Sequence, residues 1–303
     1  ASFEVILFLV GMMILIGLLK ETGFFAWIVT LILRIKGLTG KKFMFVICVV
    51  SALLACAVDE VTSIIFMVAA IFEICDYFEV NPLPYLISSV ISTNIGSAGT
   101  VLGNPIGILI AAKAGLTFED FILHAFPLMC VSLLAAIVIC LIIYRNQIKE
   151  LDRKIKTYGD NEILKRLISV PPEKQLKIAL FTFGVTLFFI AIHHRLELLW
   201  NLKANTVLLT VPLVSAGLVM AWKWEKARHY VEHDVEWWTL LFFIFLFAQA
   251  GALKYTGATD VFALHISIWA GDNVHWLTGL VLWLCGFGSC VLVNVVLVAA
   301  FIP

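Results

Sequence analysis

The chain has 303 residues and a formal net charge of zero, with 62% hydrophobic and 14% charged residues. A soluble domain usually carries about a quarter charged residues, so this composition excludes an ordinary soluble protein. Zero net charge removes any bulk electrostatic argument for nucleic acid, which we do not expect as a partner. Long apolar runs that do not alternate predict an all-α polytopic membrane protein surrounded by membrane lipid, rather than a β-barrel.

In chain order, apolar length predicts eight membrane segments and an apolar C-terminal region. The third run is interrupted by Asp59-Glu60, and the fourth by a polar, glycine-rich stretch from Thr93 to Pro105. A non-helical backbone inside a bilayer is tolerated only where protein or water satisfies it, which predicts a re-entrant hairpin at 43–75 and a broken helix at 83–112. The runs are residues 4–19, 24–33, 43–75, 83–112, 121–144, 178–192, 206–222 and 237–253, followed by 277–303.

An internal repeat relates the two ends of the chain. A shift of 234 residues places Leu19-Lys20-Glu21-Thr22-Gly23 on Leu253-Lys254-Tyr255-Thr256-Gly257 without a gap. The segment after the first run is rich in Lys and Arg, whereas its counterpart is not, so the two copies are expected to face opposite sides of the membrane. Inverted repeats with discontinuous helices are typical of secondary transporters.

The repeat and the charges together divide the chain into three parts. Residues 1–145 form the first membrane repeat, 146–177 a basic linker that we expect to be cytoplasmic, and 178–303 a second membrane repeat. Pro303 aligns with Ala69 under the same shift. We therefore expect the second repeat to be incomplete, with about 75 residues missing if the two halves match.

The first candidate site is the hairpin, with Asp59, Glu60 and Thr62. One carboxylate at the centre of a bilayer helix costs at least ~2.5–3.5 kcal/mol, so two adjacent ones require solvation, protonation or a cation. The pattern favours a hairpin tip that binds a cation or exchanges protons. The alternative is a loop between two short helices that reaches water.

The second candidate site is the broken helix. Its hydroxyl and amide oxygens suit a hard cation such as Na⁺, while helix N-termini suit an anion. We place a candidate Na⁺ site at Asp59, Glu60 and Asn94, with Na⁺ or H⁺ as the coupling ion and no other cofactor. Asn294 joins the set as the repeat counterpart of Glu60. The broken helix contributes Thr93, Asn94, Gly96, Gly103, Asn104 and Pro105.

These residues resemble the ion transporter superfamily, which includes arsenite permeases, NhaD-type Na⁺/H⁺ antiporters, the melanosomal P protein and citrate/dicarboxylate:sodium symporters. Asp59-Glu60-Val61-Thr62-Ser63 is similar to the family's Asp-Asn-Val-Thr-Thr hairpin, and Glu236-Trp237-Trp238-Thr239-Leu240 is also familial. The resemblance implies two inverted repeats, each with a re-entrant hairpin and a broken helix, that work by alternating access as a homodimer. Asn104 stands where many relatives have Asp.

We therefore expect a secondary active transporter of the plasma or inner membrane, and not an enzyme. Coupled to Na⁺ or H⁺, it moves a small inorganic or carboxylate anion or exchanges Na⁺ for H⁺. One alternative is an arsenite or metalloid efflux permease that uses a buried thiol. Another is an intramembrane aspartyl protease that uses Asp59, which is disfavoured because the chain has no Gly-x-Gly-Asp motif to supply a second aspartate.

Overall fold

The computed structural model describes residues 2–35, 37–158, 174–203, 206–271 and 273–289. Every regular element in these ranges is a helix, which confirms the all-α prediction. The helices are α1 (Ser2–Glu21), α2 (Phe24–Leu33), α3 (Gly40–Ala57), α4 (Glu60–Phe78), α5 (Leu83–Ser97), α6 (Pro105–Ala114), α7 (Phe118–Ile143), α8 (Arg145–Tyr158), α9 (Lys174–Ala191), α10 (His193–Leu199), α11 (Thr206–Trp222), α12 (Trp224–His229), α13 (Trp237–Tyr255), α14 (Ala258–Ala270) and α15 (Val274–Gly288).

Several of these helices are suited to a bilayer. Within the described ranges, α3, α7 and α9 are each long and apolar enough to cross a membrane, and α1 and α2 qualify together as one span bent by 60°. Large apolar side chains such as Leu128 and Phe181 point outward, with exposed fractions of 69% and 73%. Contact of such side chains with water is unfavourable, whereas contact with the equally apolar lipid tails carries no such penalty. The protein is therefore an integral membrane protein.

The helices enclose two apolar cores. In the first, α1 lies at the centre, and its side chains from Val5 to Leu19 pack against α9, α11 and α13. The second core lies among α2, α3, α4, α5, the later part of α7, and α8. The residues at the tip of the α3–α4 pair and after α5, including Val58 and Leu102, belong to the first core. The polar breaks thus lie where the two cores join.

Close backbone contact joins α3 to α5. A Cβ atom at Gly96 would overlap the carbonyl oxygen of Ala52, so only glycine allows the two helices to approach this closely. The hydroxyl oxygens of Ser51 and Ser89 are hydrogen-bonded across the same interface at 2.7 Å. Small residues with hydroxyl groups are the usual means of close helix packing where lipid removes the hydrophobic driving force.

The α3–α4 pair is a helical hairpin with its tip at Val58–Asp59, and its re-entrant path in the membrane stays a prediction. Its open end is held by α8. The Asp152 carboxylate accepts the Gly40 backbone N–H at 2.6 Å, and Lys154 Nζ donates to Glu79 at 3.1 Å. Asp152 and Lys154, two positions apart on α8, thus contact the start of α3 and the residue after α4. The open ends of the two arms therefore lie side by side, and the arms are antiparallel.

The sequence prediction missed α8. It assigned the chain after residue 145 to a polar linker, but Arg145–Tyr158 is a helix with Ile148 and Leu151 buried against the hairpin arms. Apolar residues at 148, 151 and 155 have the spacing of one helix face, which is the signal that was overlooked. Residues 159–173 of the predicted linker lie outside the described ranges.

The break in the 83–112 segment is shorter than predicted. Helix α5 continues past Thr93 and Asn94, so only residues 98–104 are non-helical. The Thr93 hydroxyl and the Asn94 amide donate to carbonyl oxygens one turn earlier in the same helix. These polar side chains therefore satisfy themselves within α5 instead of competing with its backbone.

The internal repeat extends to backbone detail. Gly23 and Gly257, both in the left-handed region at φ 80° and 73°, separate α1 from α2 and α13 from α14. Gly37 and Gly271 repeat this conformation at φ 61° and 58° after the second helix of each copy. Each pair is 234 residues apart. The same local turns thus recur in both copies.

The first helices of the two copies run in opposite directions. Asp234, just before α13, lies at the end of α1, where it contacts Gly17 and pairs with Lys20 at 3.5 Å. From there α13 packs back along α1. This arrangement agrees with the predicted inversion, while the limits of the three predicted parts of the chain stay a prediction.

The α3–α5 contact predicts a large effect from a single methyl group. Gly96→Ala forces the two backbones apart, and overpacking of this kind costs about 1–3 kcal/mol in the free energy of unfolding. Gly184→Ala is the matched control, because a Cβ there meets nothing within 4 Å. Thermal unfolding of the purified full-length protein in detergent measures both variants. Equal midpoints for the two would contradict the close contact.

Candidate functional site

The two interrupted helices meet at their breaks. Thr100 Oγ1 donates to the carbonyl oxygen of Cys56 at 2.5 Å, and Cys56 Sγ donates to the carbonyl oxygen of Gly96 at 3.0 Å. Ser97 Oγ donates to Glu60 Oε2 at 3.2 Å. Each of these three bonds links one break to the other, so the two breaks form one unit.

Asp59 begins the second arm of the hairpin. Its extended backbone places the side chain over the first turn of α4, where Oδ1 accepts the Thr62 backbone N–H at 2.8 Å. Aspartate is among the residues preferred at this capping position, and the helix dipole favours a negative charge there. The carboxylate is therefore held at the helix start by local interactions.

Asn104 has the same role at the start of α6. Its Oδ1 accepts the Gly107 backbone N–H at 2.7 Å, while its Nδ2 lies 3.2 Å from both the carbonyl and the hydroxyl oxygen of Ser97. A Cβ atom at the preceding Gly103 would overlap the Ser97 carbonyl, so glycine is required for this approach. The side chain of Asn104 thus joins the two sides of the break.

A cavity of about 280 Å³ lies at these breaks, between α1, the hairpin tip, the start of α6 and the start of α13. Its wall along α1 is apolar, and its polar residues come from the two breaks and from the start of α13. Five of the predicted site residues lie together here. The lining residues are Phe8, Leu9, Met12, Met13, Ile16, Val58, Asp59, Glu60, Val61, Thr62, Leu102, Asn104, Pro105, Ile106, Glu236, Thr239, Phe242 and Phe243.

The other predicted residues have different positions. Thr93 is buried within α5, and Gly96 and Gly103 serve close packing. Asn94 is exposed and does not line the cavity, although its carbonyl oxygen accepts the same Ser97 hydroxyl that bonds to Glu60. Asn294 lies outside the described residues.

Two polar residues of the cavity were not among the predicted site residues. Glu236 and Thr239 line it from the second repeat, and Thr239 Oγ1 donates to Glu236 Oε2 at 2.8 Å. The sequence signal was present, because this carboxylate opens the Glu-Trp-Trp-Thr-Leu motif directly before an apolar run. Only the folded chain shows that the motif faces the first hairpin.

The charges of the cavity point to a cation. Asp59, Glu60 and Glu236 line it, and none of its described lining residues is Lys, Arg or His. Ser63, one turn after Asp59 on α4, has a buried hydroxyl oxygen with no hydrogen-bond partner among the described groups. Within the described ranges, the carboxylates are not close enough to form a three-ligand metal cluster. The arrangement therefore suits a proton or a single weakly held cation.

Comparison with known proteins identifies the chain's relatives. A family model described as "Citrate transporter" matches residues 1–303. An uncharacterized transporter of Mycobacterium tuberculosis is 31% identical over 308 residues, covering all of this chain and 67% of the relative. A 46 kDa membrane protein of Mycobacterium leprae is 26% identical over 308 residues, covering all of this chain and 68% of the relative. The P protein of Mus musculus is 31% identical over 151 residues, which are 48% of this chain and 18% of that protein.

The double role of Asn104 predicts a larger loss of stability than an ordinary cap. Asn273 caps the first turn of α15 from an exposed position, through the Trp276 backbone N–H at 3.1 Å. Asn273→Ala should therefore cost about 1 kcal/mol of unfolding free energy. Asn104→Ala also leaves buried Ser97 groups without a donor and should cost about 2–3 kcal/mol. Thermal unfolding in detergent compares the two, and equal losses would show that the bonds to Ser97 contribute nothing.

Proposed function

The chain belongs to the citrate transporter family, and we propose that it is the cation-coupled part of a secondary active transporter. Its family and its transporter relatives make it a membrane transport protein, which points to transport and not to catalysis. The proposal adds that Na⁺ or H⁺ binds in the cavity at the two breaks and drives movement of a small ion by alternating access. The carrying observation is a cavity of about 280 Å³ whose described lining residues include three carboxylates and no Lys, Arg or His.

The two carboxylates at the hairpin tip can bind the coupling cation. Asp59 Oδ1 is bound to the start of α4, and Glu60 Oε2 accepts one hydroxyl group. Each carboxylate has a second oxygen that can accept further bonds. Burying such groups without a counter-charge is costly, so a proton or a Na⁺ ion stabilises the site when it binds. Oxygen ligands from the carboxylates suit Na⁺ as a hard cation.

The cavity carboxylates also restrict which ion can be transported. Two unit charges about 5 Å apart repel by about 3 kcal/mol at an effective dielectric constant near 20. A carboxylate anion that enters this cavity is therefore repelled by each ionised carboxylate until a cation or a proton has bound there. Symport of a small carboxylate or inorganic anion follows naturally, with the cation as the obligatory first ligand. Exchange of Na⁺ for H⁺ uses the same carboxylates without an anion.

The alternative of metalloid efflux has weaker support. A soft metalloid would need accessible thiols, but Cys56 donates its proton to the Gly96 carbonyl and does not line the cavity. Cys48, Cys75 and Cys140 are buried in the core of the hairpin arms. The alternative of an intramembrane aspartyl protease would need a second aspartate beside Asp59. The other carboxylates that line the cavity in the described part of the chain belong to glutamates.

Asp59→Asn tests the cation site while preserving the fold. Asparagine caps a helix as well as aspartate does, so α4 should remain intact while the negative charge is lost. We expect Na⁺- or H⁺-dependent flux of the full-length protein in proteoliposomes to fall at least about tenfold, equivalent to about 1.4 kcal/mol of lost interaction. Glu60→Gln should behave similarly. Glu73→Gln, an exposed change on the same helix, should transport normally.

The assay uses an internal pH dye and labelled citrate, with Na⁺ gradients and pH gradients applied separately. A Na⁺-evoked pH change that is lost in Asp59→Asn supports exchange, and Na⁺- or H⁺-dependent citrate uptake that is lost supports symport. Normal coupling in both Asp59→Asn and Glu60→Gln would overturn the assignment of the cation to the hairpin tip.

A further inference from the structure

We propose that Glu236 is a second cation station, separate from Asp59 and Glu60, on the route by which the coupling ion reaches the hairpin tip. Thr239 is its positioning residue. This inference rests on the proposed function, because it assumes that the cavity binds the coupling cation. It concerns a carboxylate supplied by the second repeat to a site otherwise built from the first.

The position of Glu236 follows from α1. The cavity runs along α1 from Ile16 to Phe8, about 12 Å of helix at about 1.5 Å per residue. Asp234 contacts Gly17 and pairs with Lys20, so the start of α13 lies at the Ile16 end of the cavity. Glu236 follows two residues later. It therefore lines the part of the cavity that is nearest to the end of α1.

That end of α1 is in contact with polar surroundings. The side chain of Lys20 is 59% exposed, and Lys226 Nζ donates to the Glu21 carboxylate at 2.6 Å. The buried Tyr230 hydroxyl also donates to Glu21. These contacts hold the turn before α13 against α1 and thereby fix where Glu236 lies. In the proposed route, the coupling ion enters at this end of α1 and meets Glu236 first.

Glu236 and the two hairpin carboxylates line a single cavity, but the three do not form one three-ligand metal group within the described ranges. The ionised carboxylates of Glu236 and of the hairpin tip repel each other in a low-dielectric cavity. A cation bound at either position reduces that repulsion. Ion conduction through other membrane proteins depends on adjacent sites of this kind, which allow binding and release in turn.

Thr239 fixes the carboxylate of Glu236. Thr239 lies in the first turn of α13, and its hydroxyl donates to Glu236 Oε2 at 2.8 Å. Both residues line the cavity. The bond occupies one oxygen and leaves Oε1 for the cation. Serine in place of Thr239 keeps the hydroxyl donor, while valine keeps the shape and removes the donor. The two variants therefore separate orientation of Glu236 from packing.

The experiment measures how transport depends on the coupling cation in proteoliposomes that contain the full-length protein. Glu236→Gln should raise the half-saturating concentration of Na⁺, or shift the corresponding H⁺ dependence, by about tenfold. Glu225→Gln is the matched control, since Glu225 is an exposed residue of α12 that does not line the cavity. Thr239→Val should give a smaller shift of about threefold, and Thr239→Ser should restore the wild-type value.

The outcomes separate this inference from the proposed function. If wild-type protein shows no cation-dependent flux, the proposed function fails. If Asp59→Asn abolishes coupling while Glu236→Gln keeps the wild-type cation dependence, only the second station is overturned. A loss of maximal rate in Glu236→Gln with unchanged half-saturation would also overturn it, because that result describes a structural role. A shift in Glu236→Gln that Glu225→Gln does not share supports the station.

Discussion

The structure depends on how two interrupted helices satisfy their backbones inside a membrane. Lipid offers no hydrogen bonds, so each freed carbonyl or N–H group must find a partner within the protein. Here the two breaks supply each other. Thr100 donates to the Cys56 carbonyl and Cys56 donates to the Gly96 carbonyl, both from one break to the other. Within the second break, Asn104 donates to the Ser97 carbonyl. This mutual arrangement requires α3 and α5 to lie in close contact, which explains the glycine and the serine pair along their interface.

The two breaks also determine the charge of the cavity. Two helices, α4 and α6, begin at the breaks, and their N-termini provide partial positive charge that favours nearby carboxylates. Asp59 uses one oxygen to cap such a terminus, as the neutral Asn104 does at the other. One helix end offsets roughly half an elementary charge, so the acidic groups remain undercompensated. A mobile cation can supply the remainder and can leave again, which a fixed lysine or arginine could not do.

The sequence alone predicted the helical class, the presence of both breaks and the repeat of 234 residues, because each depends on local composition or spacing. The break at 98–104 was placed too early, since Thr93 and Asn94 bond to their own helix and need no interruption. Helix α8 was overlooked because its strong charge masked a narrow apolar face. Glu236 could be seen in the sequence but not assigned, because its relation to Asp59 exists only after α13 has folded back along α1.

The location of the cavity also indicates which parts of the protein move in the proposed cycle. The hairpin arms belong to one apolar core, and α1 with α9, α11 and α13 belongs to the other. Packed cores resist deformation and shift as units. Within the hairpin unit, close backbone contact and buried hydrogen bonds oppose internal change. The ion pairs between the end of α1 and the turn before α13 are partly exposed, and such pairs contribute about 0–1 kcal/mol. Because the breaks lie at the boundary of the two cores, a small displacement of one core relative to the other alters access to the carboxylates while leaving both cores intact.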